Sequence, residues 1–383
     1  MRHLSDTLGR LARLSKAAEQ GATRSGLARS GPDRLLELTD FGSNPGSLRA
    51  RSYIPVHLPA GAPLVVVLHG CTQTAADYDC GSGWSALADR HHFALLFPEQ
   101  QRSNNAHRCF NWFEPEDTTR GAGEVLSIHQ MVEKITIDHA LDRRRIYITG
   151  LSAGGAMAAV MLATYPEVFA GGAIIAGLPY GCATTIPEAF DRMRGHGIPS
   201  EIELQRALGR ASPHVGPWPS ISVWHGTADH TVSPANAEAI IAQWRGVHGV
   251  AEQPTRTTTE AGYPRRIWCD AQNRVVIEEF SITGMGHGTP IDTVGPDGCG
   301  KPGAYMLEVG ISSTRHLARF WGLEPGHQDM ANRQIAPPDE AAPASNLPVA
   351  ARVRTTIENA LRSAGLMRSE LQSAAARRGG RLT

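Results

Sequence analysis

Gly150-Leu151-Ser152-Ala153-Gly154-Gly155 sets a serine between glycines two positions before and two after it. A serine hydroxyl becomes a useful nucleophile only when it stands clear of the backbone and a base removes its proton. The sharp turn that presents it is strained, so a side chain at either flanking position would collide with the chain. Residues 145–149 read as a buried strand and residues 156–165 as a small-residue helix, which is the strand, turn, helix setting such a nucleophile requires. Ser152 is therefore the candidate nucleophile, and a plain helix N-cap is its structural rival.

The base should be a histidine oriented by a carboxylate, in the chain order serine, carboxylate, histidine. Residues 221–224 run as a strand into His225-Gly226-Thr227-Ala228-Asp229, and residues 275–280 run as a strand into Gly284-Met285-Gly286-His287-Gly288. Both segments end on loops at the carboxyl ends of strands, where open α/β sheets bind ligands. His287, with glycines on either side to give the imidazole room, is the candidate base, and Asp229 is its candidate partner. An Asx turn is the rival for Asp229. Asp292 and Asp297 follow His287 and break the order. His69, His225 and His230 lie at strand ends and read as hydrogen-bonded structural histidines, while His91 and His92 show no carboxylate partner and receive no role.

A tetrahedral intermediate needs N–H donors for its oxyanion. The backbone N–H of Ala153, directly after the serine, is one candidate, and that of Cys71, in the loop after residues 64–68, is the other. The Cys71 thiol is then left to pair in a disulfide or to pack. Arg108-Cys109-Phe110-Asn111-Trp112-Phe113 crowds aromatic residues into one short stretch, fit either to line an acyl pocket or to pack beside the core.

These residues need a scaffold that brings distant strand ends together. Residues 64–68 form a continuous β-branched-rich run, and 93–97, 145–149, 172–176, 221–224 and 275–280 repeat that texture with helical patterns between them, such as Val125, Ile128, Val132 and Ile135. Strands alternating with helices predict an α/β, mostly parallel, doubly wound sheet with helices on both faces. Residues 1–47 read as a partly helical arm with Leu4, Leu8 and Leu11 at helical spacing, and 48–325 as the catalytic domain. Within it, 183–220 reads either as a cap over the site or as a surface excursion. Residues 326–348 have a Pro/Ala-rich linker composition, and 349–383 read as a basic amphipathic helix and tail, with Val353, Ile357 and Leu361 four apart.

Lys+Arg and Asp+Glu are each 37 in the 383 residues, so no net field draws in nucleic acid, and a nucleic-acid partner is not expected. No apolar run is long enough for a transmembrane segment, and none in the first twenty or so residues suits a secretory signal, so a soluble protein is expected. The six cysteines include no CxxC pair, so no structural metal site is expected, and they allow about 15 disulfide connectivities.

Six ordered motifs, LHGC at 68–71, CFNWF at 109–113, GLSAGG at 150–155, AGLPYGCA at 176–183, WHGTAD at 224–229 and GMGHG at 284–288, resemble the poly(3-hydroxybutyrate) depolymerase family of esterases, specifically its type 1 short-chain-length catalytic domain, which is related to feruloyl and acetylxylan esterases. The resemblance runs from about 49 to 321. It implies an α/β-hydrolase fold, a Ser152, Asp229, His287 triad, an oxyanion hole at Cys71 and Ala153, and substrate contact near Trp112 and Asn111. It also implies hydrolysis of a polyester, oligomer or related ester without a cofactor. Family members are commonly secreted, which sets an extracellular location against the cytoplasmic one that the absence of a visible signal suggests. Three readings compete: a 3-hydroxybutyrate-type esterase, a feruloyl or acetyl esterase, and a non-catalytic granule or surface binder acting through the C-terminal helix.

Overall fold

The structure, a computed structural model, describes residues 33–324 except Pro296. Its frame is a ten-stranded sheet. In chain order the strands are β1 (Leu36–Glu37), β2 (Arg49–Tyr53), β3 (Leu64–Leu68), β4 (Ala94–Glu99), β5 (Ile146–Leu151), β6 (Gly171–Ile175), β7 (Ser220–Gly226), β8 (Arg256–Glu260), β9 (Tyr263–Cys269) and β10 (Val275–Ile282). Their order across the sheet is β1-β2-β4-β3-β5-β6-β7-β10-β9-β8. From β4 to β10 every pairing is parallel, and β2 and β1 at one edge and β9 and β8 at the other run antiparallel. A small parallel pair, β11 (Thr289–Ile291) and β12 (Met306–Glu308), follows separately.

Every residue of β3, β4, β5 and β6 is buried, which explains the unbroken apolar texture of their sequences. Side chains alternate between faces, and the two faces make two cores. Leu64, Val66, Leu68, Ile146 and Ile148 pack with the helices Gly123–Asp138, Ala153–Thr164 and Ala235–His248. Val65, Val67, Leu95, Phe97 and Tyr147 pack with the helices Trp84–His91 and Ser313–Phe320. The expected stripe Val125, Ile128, Val132 and Ile135 is buried on the first face. Ala153–Thr164, whose twelve residues are all buried, has no polar side to show because sheet and helices enclose it.

Three features depart from the sequence reading. The domain begins before residue 48: Leu35 is buried in the second core, and β1 pairs with Arg51 and Ser52. A strand of two residues is too short to carry a periodic signal. The β8–β9 hairpin also had no apolar signature. Its turn is Ala261-Gly262, both at positive φ, and its exposed outer strand, Arg-Thr-Thr-Thr-Glu, suits a sheet edge that must not recruit another strand. Residues 183–220 contain two helices, of which Glu201–Arg210 packs on Ala235–His248, while Ile186–Met193 lies against the site. His91 does have a carboxylate neighbour, Glu324 at 3.8 Å, supplied by the far end of the described chain.

The helix expected near Leu4 to Leu11, the linker 326–348 and the segment 349–383 lie outside the described residues. No helix among the described residues is long and apolar enough to cross a membrane.

Candidate active site

Ser152 stands between β5 and the helix Ala153–Thr164 with φ 57° and ψ −119°, a backbone conformation costly for any residue with a Cβ. Its N–H donates to the Ile175 carbonyl at 2.9 Å, pinning the turn to β6. The flanking glycines are steric necessities. A Cβ on Gly150 would lie 2.3 Å from the Gly154 carbonyl oxygen, and one on Gly154 would lie 2.4 Å from that of His69. The Ser152 side chain makes no capping hydrogen bond to the helix, which removes the N-cap rival.

Asp229 and His287 sit on adjacent loops because β7 and β10 are parallel neighbours. The loops are laced together: Thr227 N–H donates to the Ile282 carbonyl, Ala228 N–H to the Met285 carbonyl, and Gly284 N–H to the Thr227 hydroxyl. Gly226 admits this approach, since a Cβ there would lie 2.2 Å from the Met285 carbonyl oxygen. His287 Nδ1–H donates to Asp229 Oδ2 at 2.7 Å. Asp229 Oδ1 accepts from Thr231 N–H at 2.8 Å and Val232 N–H at 2.9 Å, so the Asx turn and the imidazole contact coexist on opposite oxygens. Burial alone would raise the Asp229 pKa. Hydrogen bonds from His225, His287 and Val232, with the charge of His287, hold it well below the usual carboxylate range instead.

The remaining histidines follow their structural readings or lie apart. His225 is buried, and its Nε2 donates to the Val232 carbonyl at 2.9 Å while lying 3.5 Å from Asp229 Oδ2. His69 is buried beside Phe110, and His230 is exposed.

A cavity of about 270 Å³ is lined by Gly70, Cys71, Ser152, Ala153 and His287. The two candidate oxyanion donors thus belong to the same space as the serine and the imidazole. Cys71 is disulfide-bonded to Cys109, which ties the loop after β3 to the aromatic stretch, and Cys80, Cys182, Cys269 and Cys299 are free thiols. Trp112 and Phe113 meet edge to face at 5.2 Å and form part of the wall.

Asn111 does not line the cavity, contrary to expectation. Its Oδ1 accepts from Asn105, its Nδ2 donates to Asp117 at 2.9 Å, and its N–H donates to the buried Glu124 carboxylate. With those contacts the amide holds the loop, and the residue is not among those that line the cavity. Burial and the nearby Asp117 charge push the Glu124 carboxyl pKa well up, against the lowering effect of its hydrogen bonds.

Sequence reasoning offered 183–220 as a possible cap without naming the residues that line the cavity there, Ile186, Ala189, Phe190 and Met193 from one helix, joined by Leu178, Val232 and Tyr305. A signal was present. Thr185 caps the helix, Pro187 sits in its first turn, and the four residues follow i, i+3, i+4, i+7 spacing.

Residues 52–265 match the family model described as esterase PHB depolymerase. The chain is 47% identical over 292 residues to the poly(3-hydroxyalkanoate) depolymerase C of Paucimonas lemoignei, covering 76% of this chain and 70% of that protein. It is 32% identical over 267 residues to feruloyl esterase B of Talaromyces stipitatus, covering 67% of this chain and 73% of that protein. An acetyl xylan esterase structure from Aspergillus awamori superposes with a TM-score of 0.65 at 25% identity, covering 76% of this chain and 99% of that one. With the α/β-hydrolase architecture and these relatives together, the chain belongs to the PHB depolymerase family of esterases and is a carboxylic ester hydrolase.

Proposed function

We propose that this esterase hydrolyses the ester bonds of short-chain poly(3-hydroxyalkanoate) or its oligomers through an acyl-enzyme, with Ser152 as nucleophile, His287 as base and then acid, and Asp229 as the group that orients it. The observation that carries this reading is the 2.7 Å bond from His287 Nδ1 to Asp229 Oδ2 beside a serine held at φ 57° in the same cavity. With its Nδ1–H hydrogen-bonded to Asp229, His287 keeps the Nε2 lone pair free to take the Ser152 proton. Oγ then attacks the ester carbon, and the backbone N–H groups of Cys71 and Ala153 receive the oxyanion. His287 returns the proton to the leaving alkoxide. Water, deprotonated by the same imidazole, releases the acid and restores Ser152. Trp112, Phe190 and Met193 offer an apolar surface for the acyl unit. The similarity to a poly(3-hydroxyalkanoate) depolymerase favours this substrate over a ferulate or acetyl ester.

The test compares 3-hydroxybutyrate oligomers, methyl ferulate and acetylated xylo-oligosaccharide at equal concentration, using the parent protein and Ser152→Ala. Fastest turnover of the oligomers, lost by about 10⁴-fold or more in Ser152→Ala, is expected. Preference for ferulate or acetyl groups would move the protein to the related esterases. Full turnover by Ser152→Ala would overturn the serine mechanism. Contact of residues 349–383 with a polyester granule is a separate proposal. Removing residues 337–383 should then abolish sedimentation with polymer and leave hydrolysis of a soluble ester unchanged.

A further inference from the structure

We propose that Tyr305 is a positioning residue for His287, its ring walling in an imidazole that Asp229 alone does not hold in one orientation; this rests on the reading of His287 as the base. A single hydrogen bond fixes one point of a ring. With Nδ1 bonded to Asp229 Oδ2 at 2.7 Å, the imidazole can still pivot about that contact and carry Nε2 away from Ser152. The backbone of its own loop does little to prevent this. Gly284, Gly286 and Gly288 punctuate the loop, and a Cβ on Gly284 or Gly286 would meet no other group within 4 Å among the described residues. The restraint has to come from another segment.

Tyr305 supplies one. Its ring meets that of His287 edge to face, with centroids 6.1 Å apart and planes at 80°, an attractive arrangement for two aromatic rings. Both residues line the cavity that Ser152 also lines. The Tyr305 backbone secures the same loop: its carbonyl accepts the Thr289 N–H at 2.8 Å. Gly288 permits that approach, since a Cβ there would lie 2.8 Å from the same carbonyl oxygen. Thr289 is held from the core side as well, its hydroxyl 3.0 Å from that of the buried Tyr78. Pairing of β11 with β12 sets Thr289 opposite Met306, so Tyr305 reaches His287 in a fixed register.

The residue type at 305 is unexpected on backbone grounds. Gly303 and Met306 exchange both backbone hydrogen bonds, at 3.2 and 3.1 Å, and close a tight turn over Ala304 and Tyr305. Tyr305 takes the third position of that turn at φ 62°, where glycine or asparagine is the usual residue. A bulky aromatic there is strained, and such strain clusters at functional sites. The ring is only half-buried, and its hydroxyl has no partner among the described residues. Contact with the imidazole is what the ring adds that glycine would not.

The experiment compares Tyr305→Phe, which keeps the ring, with Tyr305→Gly and Tyr305→Asn, which lack it and tolerate positive φ. On a soluble p-nitrophenyl ester, Gly and Asn should lower kcat about three- to tenfold, the span that an edge-to-face pair can hold, with KM within about twofold. Phe should keep the parent kcat. The rate at which a fluorophosphonate modifies Ser152 should fall by the same factor in Gly and Asn, because that attack needs the same base. In the Tyr305→Gly/His287→Ala double variant the label should enter no more slowly than in His287→Ala alone, since the effect passes through the imidazole. An additive loss in the double variant, parent kcat in Gly and Asn, a raised KM with kcat intact, or a fall in Phe as large as in Gly overturns the proposal. A label absent from Ser152 in the parent protein, or entering His287→Ala at the parent rate, defeats the reading of serine and base. A label that depends on His287 and not on Tyr305 defeats only this inference.

Discussion

Asp229 divides its carboxylate between two tasks, and His287 receives only one of the two oxygens. Oδ2 meets the imidazole Nδ1 at 2.7 Å, while Oδ1 closes the turn through the N–H groups of Thr231 and Val232. Shape and chemistry are thus separable at one side chain.

Asp229→Asn should expose that separation. The amide oxygen can still accept from Thr231 and Val232, but the amide nitrogen faces His287 as a donor and favours the wrong imidazole tautomer. A fall in kcat of about 10⁴-fold with little change in Tm is expected. Asp229→Ala should also destabilise by about 1–3 kcal/mol, because the loop N–H groups lose their acceptor. Steady-state kinetics and thermal unfolding of both variants check this.

Ser152 sits at positive φ although it has a Cβ. Ser152→Gly should relieve that strain while removing the proposed nucleophile, stabilising the fold by about 1 kcal/mol after the added freedom of the unfolded glycine is deducted. A Tm above that of the parent protein, with no measurable ester turnover, is the expected pair of results.

The Cys71–Cys109 disulfide closes a loop of 38 residues. Chain entropy assigns such a closure about 4 kcal/mol. The Cys71→Ala/Cys109→Ala double variant should lose up to that amount in denaturant unfolding. It should also show raised KM, because the loop bearing Trp112 is no longer tied to the loop after β3.

Glu278 and His316 form a buried charge cluster on the β10 side of the sheet. Glu278 accepts from Ser222 Oγ, from Arg265, and from His316 at 3.0 Å, and His316 also meets Glu260. Burial would raise the Glu278 pKa, but His316, Arg265 and Ser222 hold it well down. Burial would lower the His316 pKa, but Glu278 and Glu260 hold it up. A depressed carboxyl pKa contributes stability above its unfolded value of about 4.3, lost as pH falls through the folded value. A raised imidazole pKa contributes stability below about 6.5, lost as pH rises through the folded value. The cluster should therefore stabilise most between about pH 5 and 6. His316→Gln should flatten the alkaline limb of a Tm-against-pH curve, and an unchanged limb would disprove this role.

The turn at Ser152 was legible because the glycines around it obey local sterics that any chain must satisfy, and the alternation of apolar strands with helices was legible because the central strands are buried on both faces. Asp229 and His287 were nominated by chain order and loop position, and the fold places them in hydrogen-bond contact. Asn111 lies outside the cavity lining because its partners Asn105, Asp117 and Glu124 lie in loop and helix contacts that a six-residue aromatic stretch does not reveal. The segment 183–220 was left open between a cap and a surface excursion although the spacing from Ile186 to Met193 was in view, since helical periodicity tells that a face is covered and not what covers it.

The chain order of residue types alone settled a doubly wound α/β architecture and nominated the serine, the carboxylate and the histidine, because backbone sterics and burial patterns act over a few neighbouring residues. Only tertiary structure decided that β3 lies between β4 and β5, that β7 adjoins β10, and that Cys71 pairs with Cys109. Those outcomes depend on packing between segments tens to hundreds of positions apart, where many arrangements satisfy the same local pattern and the total burial and hydrogen bonding of the whole sheet select one.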